Sequence, residues 1–173
     1  MFLLSIAFQL LPLIVLGNQA KLTMEKKYLL HAHNYIRQTR SRCDYIWSTP
    51  ADEELNNLVW DEGLAWTAQI HADKCINTPS EPRERTTCRW KSVGQNIAEV
   101  VNMKEATVKW KDGSRFYNLI NDNCRQYKNY TIDCNSYKQI VNANTTHIGC
   151  AVNFCEHNTT NGKYMVVCNY APA

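Results

Sequence analysis

The chain opens on an apolar run, residues 2–17, mostly Leu, Ile, Val and Phe and without charge. A membrane-crossing helix needs roughly 20 apolar residues, so a run of this length predicts the core of a signal peptide. Val15 and Gly17 suit a cleavage after Gly17, and Ala20 offers a second one. Residues 1–17 are read as signal peptide and 18–173 as one domain. Thr23 then stands where a helix cap would, and Met24, Tyr28, Leu30, Tyr35 and Ile36 give a rough apolar face with charges between them. Pro50 and the polar run 51–54 break that pattern. Asp61 reads as the N-cap of a second helix, in which Leu64, Ala68, His71 and Cys75 recur at helical spacing, so Cys75 is expected to face inward. Residues 76–93, with Pro79, Pro82 and many charges, read as a loop. A third helix is predicted over 104–117, with Ala106, Trp110, Gly113 and Tyr117 on one face, followed by a polar loop over 121–135.

The period then changes from helical to two. Ile148, Cys150, Val152 and Phe154 alternate with His147, Gly149, Ala151 and Asn153; after the turn-rich EHNTTNG, Tyr164, Val166, Cys168 and Tyr170 alternate again. The two stretches predict an antiparallel hairpin. Helices early and strands late give an α+β domain.

Composition narrows the picture. Removing the signal leaves roughly 155 residues, enough for one domain with a real core. All eight cysteines (43, 75, 88, 124, 134, 150, 155 and 168) follow the leader, and an even count behind a signal peptide reads as a disulfide framework in a secreted, extracellular protein. The absence of a C-x-x-C pair argues against a zinc ribbon or a thioredoxin-type site. Sequons at Asn129, Asn144 and Asn158 agree with a secretory route. Net charge is +3, with the charges scattered, which excludes nucleic acid as a partner class.

Candidate chemistry is sparse. His31 and His33 lie two apart and do not share a helix face; His71 falls on the inner face of the second helix and reads as a core histidine; His147 and His157 flank a strand. There is no His-Glu-x-x-His, no phosphate loop and no Gly-x-Ser-x-Gly elbow, and Ser136 has no sequence neighbour that marks it as a nucleophile. The residues by themselves name no catalytic site.

Several segments do line up, in order, with one family. They are HNYIR (33–37), LVWD (58–61), LAWTAQ (64–69) with Cys75, VGQNIA (93–98), QIVNANTTHIGCAV (139–152) and YMVVCNYAP (164–172). The chain resembles the CAP superfamily of cysteine-rich secretory, antigen 5 and pathogenesis-related class 1 proteins, and most of all the venom allergen-like proteins of parasitic flatworms. The resemblance implies a three-layer α-β-α sandwich around a central antiparallel sheet. It also implies a cleft where family members often hold a divalent metal on two His and two Glu. Here Gln95 stands for the first Glu, Gly113 for the second and Ser136 for one His, and residues 76–93, where the other His would lie, contain none. An amide, a glycine and a hydroxyl offer neither imidazole nor carboxylate, so the expectation is no metal, no cofactor and no enzyme activity.

The family pattern further implies Cys75–Cys155 and Cys150–Cys168, leaving Cys43 with Cys88 and Cys124 with Cys134. A tight hairpin turn on Asn161-Gly162 would instead set Cys155 opposite Cys168, whereas a longer loop over 158–161 restores the family pairing. Finally, some members carry sterols or fatty acids. A matching slot here would be walled by Tyr35, Ile36, Val108, Trp110, Phe116 and Tyr117. The aromatic triplet linked to sterol binding in the family is missing. Lipid is thus the first expected partner. The other readings are a secreted immunomodulatory protein that binds host proteins and, with least support, a metal-dependent hydrolase.

Overall fold

Asp61 begins a helix as its type predicts: its carboxylate accepts the Leu64 N–H at 2.9 Å, satisfying one of the donors that a helix start leaves open. That helix, α2, runs Glu62–Ala72. It lies between α1 (Met24–Cys43) and a short α3 (Pro82–Arg85) in sequence, with the two-residue strand β1 (Val59–Trp60) just before it. Strand β2 (Gly94–Val100), α4 (Met103–Asp112), a 3-10 turn (Gly113–Arg115) and a small ladder of β3 (Tyr117–Asn118) with β4 (Asn123–Cys124) follow. Helix α5 (Asn135–Ile140) and the long strands β5 (His147–Cys155) and β6 (Lys163–Ala171) complete the described order. This is a computed structural model that describes residues 22–43, 55–118, 122–124, 134–156 and 163–173, without the side chains of 41–43.

The main sheet has the order β1-β5-β6-β2. Its long strands β5, β6 and β2 are antiparallel, as expected, and the two-residue β1 at one edge runs parallel to β5. The hairpin register pairs Cys150 with Cys168 and Cys155 with Lys163, which requires the longer connection and not the tight Asn161-Gly162 turn. Helices α1, α4 and α5 cover one face and α2 the other, giving the three layers.

On the α1/α4/α5 side, cross-strand neighbours form rows: Val100–Tyr164–Phe154, Ala98–Val166–Val152, Asn96–Cys168–Cys150 and Gly94–Tyr170–Ile148. The inner rows merge with Leu29, Ile36, Ala106 and Trp110 into the largest core cluster. On the other side the small residues Ala68 and Ala72 of α2 pack on Ala151, Met165 and Val167.

Helix α2 sits so close that strand β5 has room for only a glycine beneath its first turn. A Cβ at Gly149 would overlap the Ala65 nitrogen and stand 2.5 Å from the Asp61 carbonyl oxygen and 2.6 Å from the Leu64 carbonyl carbon. These are backbone atoms and cannot rotate away. Gly149→Ala is expected to lower stability by about 2 kcal/mol through overpacking. A urea midpoint equal to that of the parent would show that α2 lifts freely.

Disulfides Cys75–Cys155, Cys124–Cys134 and Cys150–Cys168 are formed. The expected Cys43–Cys88 pairing falls outside the described residues, which do not include the Cys43 side chain; Cys88 itself is exposed and has no disulfide partner among the described residues. Cys75 is not on a helix face. Helix α2 ends at Ala72, and Cys75 takes φ 54°, a left-handed turn after the helix that carries its sulfur back to β5. The predicted third helix also stops early, at Asp112, where the 3-10 turn takes over.

Candidate functional site

The three described positions that the resemblance ties to a metal cleft fall on β2, the 3-10 turn and α5. Strand alternation sends Gln95 and Asn96 to opposite faces of β2. Gln95 faces Asn169 across the ladder, and both ends of its amide are used by the protein. Its oxygen accepts the Ser80 N–H at 2.8 Å and the Ser80 hydroxyl at 3.2 Å, and its nitrogen donates to the Asn169 oxygen at 2.9 Å. Asn169, fully buried, passes the chain on by donating to the Thr67 hydroxyl at 2.9 Å and the Leu64 carbonyl at 3.3 Å. Asn96 donates to the Ser136 carbonyl at 2.9 Å and to the Tyr170 hydroxyl at 3.0 Å, fastening α5 to the sheet. Gly113 and Ser136 are buried.

These residues do not fit a zinc site. Gln95 supplies a neutral amide whose two ends already have protein partners, and Gly113 supplies no side chain. Among the described residues, no group of three His, Cys, Asp or Glu stands close enough to hold a metal ion. What the arrangement does chemically is hold: a line of amides and hydroxyls pins the loop carrying Ser80 to the edge of the sheet.

The histidines spread out. His33 is wholly buried on the inner side of α1, while His31 on the same helix is exposed. His71 is buried, as expected for a core histidine; its Nε2 donates to the Thr78 carbonyl at 2.8 Å, and its Nδ1 has no hydrogen-bond partner among the described residues. The His147 ring packs tilted against Trp90, with ring centres 4.9 Å apart. Trp90 in turn donates its indole N–H to Asp61 at 2.9 Å. Burial raises the Asp61 pKa, but the hydrogen bonds from Trp90, Leu64 and Gly63 outweigh it, and the group lies below the usual carboxylate range. His157 lies outside the described residues, as do Asn129 and Asn158; Asn144 is exposed on the turn before β5.

The six residues expected to wall a lipid slot differ widely in burial. Ile36 and Trp110 are core; Trp110 lies 5.8 Å from the His33 ring and donates its indole N–H to the Ile97 carbonyl at 3.3 Å. Tyr35 and Val108 are at the surface, 53% and 59% exposed. Phe116 is half-buried, and so is Tyr117, whose hydroxyl donates to Asp122 at 2.6 Å.

Apolar surface instead gathers at the other end of the sheet. The helices cover the inner rows, but the outermost row, Val100–Tyr164–Phe154, is buried only at Val100: Phe154 is 48% and Tyr164 37% exposed, in edge-to-face contact at 5.2 Å. Val101, which follows β2 at this end, is exposed as well. Half-buried Val152, in the next row, connects this ledge to the core. Period-two patterning places Phe154 and Tyr164 on the apolar side of their strands, but strand pattern alone does not say where a helical layer stops.

A family model described as the cysteine-rich secretory protein family, CAP, matches residues 30–170. Venom allergen 5 of Vespa mandarinia is 32% identical over 164 residues, which is 86% of this chain and 75% of that protein. GLIPR1-like protein 1 of Bos taurus is 30% identical over 151 residues, 83% of this chain, but the chain spans only 57% of that relative's length. Among solved structures, venom allergen-like protein 4 of Schistosoma mansoni matches with a TM-score of 0.72 at 28% identity, over 87% of this chain and 90% of that one. NaASP2, solved with Zn2+, matches with a TM-score of 0.60 at 20% identity over 90% of this chain and 83% of that one, a likeness of fold alone.

Proposed function

The chain belongs to the CAP family of cysteine-rich secretory proteins, and from that premise we propose that it is a secreted, non-enzymatic protein that binds a lipid, a sterol or a fatty acid. One observation carries the lipid reading: the Val100–Tyr164–Phe154 row is an apolar ledge that is open to water at one end and continuous with the core at the other. An acyl chain or a sterol ring needs little more than such a dry, apolar surface with one accessible edge. The neutral groups at Gln95, Gly113 and Ser136 support a role without catalysis. Disulfides, the apolar leader and the sequon at exposed Asn144 support secretion.

The test is to secrete the protein from eukaryotic cells, extract it with organic solvent, and titrate labelled fatty acid and cholesterol. Saturable, stoichiometric binding is expected, weakened about tenfold or more by Phe154→Asp with Tyr164→Asp. Trp110→Ala is a poor probe because Trp110 is structural core. No extractable lipid and no saturation would rule the carrier out.

A second reading, a secreted protein that binds host proteins, is favoured by Trp66 and Ile70. They lie one turn apart on α2 and are 67% and 42% exposed, an apolar pair on an otherwise polar helix surface.

A further inference from the structure

Of the apolar face that the sequence marks on α1 (Met24, Tyr28, Leu30, Tyr35 and Ile36), only Ile36 is buried outright, alongside Leu29, His33 and Arg37; Met24 and Tyr35 are 76% and 53% exposed and form an outer stripe with half-buried Tyr28. The stripe runs along the outer seam between α1 and α4 and meets a matching repeat there. The Lys104 ammonium lies 5.7 Å from the centre of the Tyr28 ring, and the Lys111 ammonium lies 5.7 Å from the centre of the Tyr35 ring. The tyrosines are seven residues apart and so are the lysines. The helices therefore run in the same direction and in register, and the pairing repeats every two turns, about 10.5 Å. Tyr28 is also tied to Thr107 through their hydroxyls at 3.3 Å, which fixes the seam. Val108, one turn beyond Lys104, is 59% exposed.

The charge on this face is unspent. None of the ion pairs among the described residues involves Lys104, Lys109 or Lys111. Of the acidic residues of α4, Glu105 is exposed and Asp112 is paired with Arg115 at 3.5 Å. Cations resting on tyrosine rings beside exposed Met and Val side chains are what a bilayer surface takes up: ammonium groups among anionic headgroups, tyrosine rings at headgroup depth, and the apolar tips at the acyl boundary.

We propose that the α1/α4 seam is a docking face for a lipid bilayer that carries anionic headgroups. The proposal goes beyond the cargo reading and does not require the ledge to hold a lipid. The test floats the secreted full chain with phosphatidylcholine vesicles and with vesicles in which phosphatidylserine makes up about a third of the lipid. Binding is expected to the second kind only, and to be released by high salt. Lys104→Ala with Lys111→Ala is expected to weaken it about 30-fold, about fivefold for each lysine. The same loss of charge at Arg83 of α3 and at Lys91 after it, both exposed, leaves it unchanged. Val108→Asp is expected to abolish it with the parental circular dichroism retained. Equal binding to both vesicle types, no binding to either, undiminished binding by the double lysine variant, or capture by heparin without vesicle binding would each overturn the proposal.

Discussion

Arg37→Met is expected to lower stability by about 3–5 kcal/mol, the range for removing one side of a buried, charged hydrogen-bond arrangement. Arg37 is 1% exposed, so its guanidinium lies inside the protein. It donates from Nε to the Asn56 carbonyl at 2.9 Å, from Nη1 to the carbonyls of Ile140 at 2.7 Å and Asn142 at 2.9 Å, and from Nη2 to that of Thr145 at 3.3 Å. One side chain of α1 thus gathers the segment before β1, the end of α5 and the turn before β5. Burial and the nearby Arg40 lower its pKa to about 10, which still leaves it charged at neutral pH. Methionine keeps the apolar stem and strands the carbonyls. Lysine, a point charge without the planar fork, is expected to recover only part of the loss. The measurement is a urea titration in which the midpoint falls and the slope does not. A loss below about 1 kcal/mol would mean that these segments hold together without the clamp.

The clamp also explains what could be read in the sequence and what could not. Elements in which each side chain follows the plain rule, apolar inside and polar outside, were legible. Asp61 capped its helix, β5 and β6 pair as the expected antiparallel hairpin, although β6 is buried on both faces along most of its length, and the family pairing put Cys150 opposite Cys168. The misses fall where polar groups are buried in hydrogen bonds. On α1 the apolar face of Met24, Tyr28, Leu30, Tyr35 and Ile36 matches the core outright only at Ile36, because His33 and Arg37 look like surface residues, yet these two are among the most buried side chains. Strand β2, GQNIAEV, lacks a clean apolar alternation because Asn96 stands on its inner face, where it is 4% exposed and bonded to Tyr170 and the Ser136 carbonyl. Helix α5 has six residues, fewer than two turns, too few for a period to show.

The candidate site divides in the same way. The loss of ionisable groups at Gln95, Gly113 and Ser136 was legible residue by residue. That Gln95 is locked between Ser80 and Asn169 was not, because those partners lie 15 and 74 positions away in the chain. The burial of the residues expected to wall a lipid slot was not legible for a related reason. Spacing along one helix does not show which side the neighbouring layer covers, so Trp110 went to the core and Val108 to the surface.

Stability is expected to fall by about 3 kcal/mol as pH drops from 7 to 4, and His33 is the reason. Its hydrogen bonds fix a neutral ring. Nδ1 must donate to the Leu29 carbonyl at 2.6 Å, so Nε2 is the acceptor for the Tyr170 hydroxyl at 2.8 Å; that hydroxyl in turn accepts from Asn96. A second proton on the ring would face the tyrosine proton with no solvent to turn to. Burial, chiefly, lowers the His33 pKa from the ordinary 6.5 to about 4; the Leu29 bond opposes this and the Arg37 charge adds to it. The unfolded chain therefore takes up a proton near pH 6.5 that the folded chain refuses until about 4. The stabilisation is whole above pH 6.5 and drains away as pH falls through that window. His147, also lowered, mainly by burial and by Arg89, acts in the same direction, so the wild-type profile alone does not single out His33. His33→Gln does: an amide can donate to Leu29 and accept from Tyr170 without titrating. Its urea midpoint is expected to be lower than the parent's at pH 7 but much flatter between pH 7 and 4. A parent curve already flat over that range, or a His33→Gln curve as steep as the parent's, would show that the buried imidazole takes up its proton without opening the fold.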